Sequence, residues 1–184
     1  NKLTRNATSN PGLENTTAAI KKAKDNKDVK GIYLEAGLFS TDFASLQELR
    51  QALADFRKSG KWIVAYGETY TQGTYYLASV ANKVYLNPQG SLDWHGIAAE
   101  PMFVKDLLAK FGVKMQVVKV GKYKSATEMY TEDKMSDANR EQVKRYIDGL
   151  WGNMCKAVST SRSISVDKLN EYADNMLLFD DQKT

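Results

Sequence analysis

One cysteine and one histidine, Cys155 and His95, stand among 184 residues. An intramolecular disulfide is therefore excluded, and cysteine usage is silent about redox compartment. A structural zinc needs three or four Cys, His or carboxylate ligands, and this supply of soft ligands argues against one. Any histidine-based triad has to use His95, either between a serine and an aspartate or beside Cys155. Long apolar runs are also missing. None approaches the ~18–20 residues of a transmembrane helix, and no signal-peptide pattern is present. Gly-x-Gly-x-x-Gly, Walker-type and Gly-x-Ser-x-Gly patterns are absent, which removes the readings that rest on a phosphate cradle or a hydrolase elbow. There is no internal period of repeat length and no low-complexity segment.

What is present belongs to a globular protein. The length fits one domain, or one with a small appendage. The net charge is +4, but 22 acidic residues nearly balance 26 basic ones. A nucleic-acid binder concentrates its positive charge more strongly, so nucleic acid is not an expected partner. The chain starts at Asn1-Lys2-Leu3 and stops at Gln182-Lys183-Thr184, and it is expected to be a piece of a longer protein.

Residues 1–12 are polar, contain Pro11-Gly12, and read as a flexible arm; 13–184 read as one domain. Asn15-Thr16-Thr17 predicts a capped helix through about Asn26, with Lys21, Lys22, Lys24 and Lys27 as a solvated face. Strands are expected at 29–35, 62–66, 83–86 and 114–120. Between and after them, helices are expected at 43–58, 75–81, 102–111, about 137–160 and 165–175. Alternation of this kind argues for a parallel sheet covered by helices.

Three places could carry chemistry. Asp93 and His95 share a face if their segment is extended, a weak triad signal against a surface or packed histidine. Gly73-Thr74, at a strand-to-helix turn, either frees amides for an anion or simply opens a capped helix. Lys122 and Lys124 follow the predicted strand in Val118-Lys119-Val120-Gly121-Lys122-Tyr123-Lys124-Ser125-Ala126. Two solvated loop lysines are the ordinary reading. A lysine that acts as a base must shed a proton held at ~10.4, which requires a dry pocket. Tyr123, Met129 and Tyr130 are candidates to line one, and a nearby hydroxyl could orient the amine. Cys155, beside the apolar stripe of the long helix, reads as packing.

Several segments together resemble the signal peptide peptidase A (protease IV) family, peptidase family S49. They are Tyr70-Thr71-Gln72-Gly73-Thr74-Tyr75-Tyr76-Leu77-Ala78-Ser79, the run from Ala81 to Gly90, His95-Gly96, Val120-Gly121-Lys122-Tyr123-Lys124-Ser125-Ala126, and Met135-Ser136. The resemblance covers roughly residues 13–183 and is to the amino-terminal domain of the long, two-domain form. It implies an α/β Clp-protease/crotonase-like fold with repeated ββα units and a long carboxy-terminal helix. It also implies a Ser/Lys dyad with Lys124 as general base. In the long form one domain gives the lysine and the other the serine, in a Ser-Gly-Gly-Tyr-Tyr motif. Gln72 stands here where that serine would stand, so the chain alone is expected to be inactive. An oxyanion role is not carried onto Gly37, in Glu35-Ala36-Gly37-Leu38, because no serine here needs it.

The implied partners are peptides (leftover signal peptides), the carboxy-terminal serine-bearing domain, further copies of the parent, and a bacterial inner membrane reached through a segment absent from this sequence, with the catalytic domains on the periplasmic side. No cofactor and no metal is implied. Two other readings stand beside this one. The first is a non-catalytic scaffold of the same fold. The second is a crotonase-type acyl-CoA enzyme, which needs a glutamate base, with Glu68 and Glu128 the nearest candidates.

Overall fold

The computed structural model describes residues 12–37, 39 and 41–180. The predicted arm, apart from Gly12, and Leu38 lie outside the described residues. The chain divides into two units, one built from the segments up to His95 and from Met154 onward, the other from Gly96–Asn153.

The first unit is a three-stranded parallel sheet with helices. Its order is β1 (Gly31–Glu35), β2 (Trp62–Tyr70), β3 (Lys83–Leu92). Helix α1 (Leu13–Asp25) precedes β1, α2 (Phe43–Lys58) joins β1 to β2, and α3 (Gln72–Ala78) joins β2 to β3. This alternation forces parallel pairing, because each crossover returns the chain to the same end of the sheet. α2 matches its predicted bounds. Asp42 caps it, its Oδ1 accepting the Ser45 N–H at 2.9 Å, and Leu46, Leu53 and Phe56 are buried on one stripe. Ser59-Gly60 ends it, with Gly60 at φ +84°.

α1 begins earlier than its predicted cap. The Gly12 carbonyl already accepts the Thr16 N–H at 3.0 Å, and the Thr16 and Thr17 hydroxyls donate back to carbonyls of the same helix. Asn15 thus sits inside the helix. The four lysines of this region are exposed, as expected. β2 and β3 run past their predicted ends. Asn87-Pro88 does not close β3. Residues 87–90 form a bulge opposite Glu68, and pairing resumes at Thr69↔Ser91. Proline is tolerated there because the ladder is already interrupted.

The core gathers Leu53, Phe56, Ile63, Ala65, Tyr70, Ala78, Val80 and Ala81. Arg50 is buried with it. Its guanidinium donates to the Tyr76 carbonyl, to Ser79 Oγ (2.8 Å), to the Ala157 carbonyl (3.0 Å) and to Ser161 Oγ (2.6 Å). It also lies 4.7 Å from the centroid of the Tyr76 ring. Its burial pulls its pKa below the usual arginine value. Trp94 is buried, and its Nε1 donates to the Leu169 carbonyl at 3.0 Å on α7 (Val166–Asp174).

The second unit contains α4 (Lys105–Lys110), a 3-10 turn (Ser125–Thr127), α5 (Glu128–Thr131), and residues 137–153 of α6 (Asp137–Arg162). A last short helix, α8 (Leu177–Asp180), follows α7 in the first unit. α4 is shorter than predicted. Phe103 and Leu108 are half-buried and Leu107 is exposed. The strand expected at 114–120 is not formed. Among the described residues this segment makes no backbone hydrogen bond, and its unit contains no strand to pair with. β-branched residues favour extended backbone, but a strand exists only against a neighbour's N–H and C=O groups. Val118 and Val120 are 92% and 86% exposed. On α6, Met154 and Val158 are buried and Val143, Ile147 and Leu150 half-buried, whereas Tyr146 is exposed.

Candidate active site

The segment 113–120, which has no regular secondary structure, runs into Gly121, whose φ of +100° lets the chain turn where a side chain would be strained. Lys122 follows, exposed, with Nζ 5.2 Å from the centroid of the Tyr123 ring. The Tyr123 hydroxyl donates to Glu141 Oε2 on α6 at 3.2 Å. Lys124 comes next, in a non-helical conformation, and the 3-10 turn starts directly after it.

Lys124 is exposed. It borders an open concavity of 620 Å³ with Val117, Val118, Lys119, Val120, Tyr123, residues 125–127 and Gln142. Of the three side chains expected to line a pocket around it, only Tyr123 does; Met129 and Tyr130 are not among its walls. The walls include the two bare valines. Thr127 Oγ1, in the same concavity, is buried and has no hydrogen-bond partner among the described residues. Ser125, half-buried, adjoins Lys124 along the chain.

Below this turn lies Glu128, with 3% exposure. Its Oε1 accepts the Ser136 hydroxyl at 2.7 Å, and its Oε2 accepts the Ser136 N–H at 3.2 Å and Asn139 Nδ2 at 3.0 Å. The Ser136 hydroxyl bond, foremost, holds the Glu128 carboxyl below the usual glutamate range. A carboxylate so occupied is not a poised proton acceptor, which counts against the crotonase-type reading for Glu128. Sequence reasoning named Glu128 only in that role. No local pattern announced these partners, since Ser136 and Asn139 stand eight and eleven residues further along the chain.

In the other unit, Gln72 opens α3, capped by a reciprocal box. Thr71 Oγ1 accepts the Thr74 N–H at 3.2 Å and Thr74 Oγ1 accepts the Thr71 N–H at 2.8 Å. The Gly73-Thr74 turn is therefore a capped helix start, and Thr74 and Tyr76 are buried. Asp93 and His95 do meet, with Oδ1 2.5 Å from Nδ1, but both are exposed. Beside them stands Gln72, whose Oε1 accepts the His95 N–H at 2.9 Å. Cys155 is buried, and burial pushes its thiol up to about 11. A thiol held protonated is no nucleophile. Among the described residues no cluster of His, Cys, Asp or Glu could hold a metal ion, and no helix is long and apolar enough to cross a membrane.

Residues 55–183 match peptidase family S49. The chain is 46% identical over 152 residues to protease 4 of Salmonella typhi, covering 82% of this chain and 25% of that protein. It is 36% identical over 160 residues to protease 4 of Haemophilus influenzae (86% and 26%). It is 29% identical over 140 residues to the chloroplastic serine protease SPPA of Arabidopsis thaliana (76% and 20%). The chain thus spans about a quarter of the length of the protease 4 relatives it matches. With the family's pattern matched over residues 55–183 and 46% identity to one of its proteases across most of the sequence, the chain belongs to peptidase family S49.

Proposed function

We propose that this chain is the lysine-donating part of a serine endopeptidase, with Lys124 as the proton acceptor and the nucleophilic serine elsewhere in the full-length protein. The observation that carries the reading is the surround of Lys124, an exposed amine on a concavity walled by Val118 and Val120, apolar side chains with no partner of their own. A serine-bearing domain laid on this surface would exclude water and favour the neutral amine. That amine would take the proton from serine Oγ as Oγ attacks the peptide carbonyl, and return it to the leaving amine. Water then releases the acyl group by the same route. Gln72 at the start of α3 supplies no nucleophile, which fits a division of the dyad between two domains and an inactive isolated chain.

The parallel order β1-β2-β3 with intervening helices supports a Clp-protease/crotonase-like domain over 13–184. Cleaved signal peptides as substrates, assembly of several parent copies, and attachment to the bacterial inner membrane through another segment, with the catalytic domains on the periplasmic side, complete the proposal. The test is turnover of a small peptide ester by the full-length protein. Lys124→Ala is expected to lower kcat about 10³-fold with KM little changed. Unchanged turnover would remove Lys124 from the chemistry and leave an assembly scaffold as the reading of this chain.

A further inference from the structure

We infer that Glu128 is a positioning residue for Lys124; the inference rests on the reading of Lys124 as proton acceptor. Carboxylates are seldom buried, and Glu128 is the one buried carboxylate among the described residues. Its three donors all come from the first turn of α6: the Ser136 hydroxyl and N–H and the Asn139 amide. Ser136 is also the cap of that helix, its Oγ accepting the Asn139 N–H at 3.2 Å. In an ordinary capping box the acid that reaches the cap's N–H sits three residues into the same helix. Here that position is Asn139, and the acid is delivered from α5.

The consequence falls on Lys124. The Glu128 N–H donates to the Ser125 carbonyl, closing the 3-10 turn that begins directly after the lysine. On the other side of the lysine, the Tyr123 hydroxyl donates to Glu141, also on α6. Lys124 is thus bracketed by two tethers to one helix, one of them a buried ion with three hydrogen bonds. Proton transfer demands such placement, since an error of about 1 Å can cost about 10²-fold in rate. A glutamine at 128 would keep the shape but turn an NH₂ toward donors that now meet an oxygen.

The experiment compares full-length wild type, Glu128→Gln, Asn139→Ala, Lys124→Ala and the double variant Lys124→Ala/Glu128→Gln, on a peptide ester, with activity expressed per folded molecule. Glu128→Gln is expected to lower kcat about 10²-fold at unchanged KM. Asn139→Ala, which removes one donor and keeps the fold if Glu128→Gln does not, is expected to lower kcat about tenfold. The double variant should be no slower than Lys124→Ala alone, because both changes act through one group. If Lys124→Ala is inert while folded Glu128→Gln and Asn139→Ala keep wild-type kcat, the positioning role is overturned and the lysine reading stands. Additive losses in the double variant overturn it equally. If Lys124→Ala turns over like wild type, it is the underlying reading that has failed.

Discussion

Lys124 and Glu128 show how differently two nearby residues present themselves in a sequence. The proposed role of Lys124 was legible because its signal lies in its immediate neighbours: an apolar β-branched stretch, a turn glycine, and an ordered set of motifs around them. The role of Glu128 was not, because its donors stand eight and eleven residues further on and meet it only once α6 folds back on α5. Arg50 was hidden for the same reason, its acceptors lying as far away as Ser161. The reading of Cys155 as packing needed only its place on a helical stripe, and the structure agrees with it. With its thiol at about 11, Cys155 stays protonated at pH 8, whereas an unfolded cysteine near ~8.5 is partly thiolate. Alkylation by iodoacetamide at pH 8 is expected to be at least ~10-fold slower in the native chain than in denaturant. Equal rates would show that the thiol is not buried as described.

At the scale of elements, α2, with a cap, a stripe and a stop, was read to the residue, whereas α1 starts ahead of its expected cap and α3 spans Gln72–Ala78 instead of 75–81. β2 and β3 begin where the sequence places them and run further, whereas β1 ends as expected at Glu35 but starts at Gly31, two residues late. β3 continues through a bulge that no local pattern announces, since its geometry is made by Glu68 on the neighbouring strand. Gly90 makes the point sharply. A Cβ there would lie 1.9 Å from the Glu68 carbonyl oxygen, a contact that backbone must move to relieve. Gly90→Ala is therefore expected to destabilise the chain by about 2 kcal/mol or more, read from the midpoint of urea denaturation. A midpoint at the wild-type value would contradict the close approach. The 114–120 segment fails as a strand for the opposite reason. Its residues suit one, and no neighbour is present in its unit.

At the scale of the whole molecule, what the sequence could not convey is what lies against the Gly96–Asn153 unit. Met102, Phe111, Val118, Val120 and Tyr146 are all more than half exposed there. The first unit has a closed core, although Tyr33 and Met176 are more than half exposed there too. The chain spans about a quarter of the length of the protease 4 relative it matches, which leaves room for a further domain to cover these side chains. The central claim is that the dyad is divided, with its lysine at 124 and its serine outside these 184 residues. A fluorophosphonate probe tests it most directly, because it labels only a serine whose proton is being taken. Full-length protein is treated with the probe, and the labelled peptide is located by mass spectrometry. The account expects one labelled serine outside this sequence, with labelling lost in Lys124→Ala. A label on a serine within it, or labelling that persists in Lys124→Ala, would contradict the account.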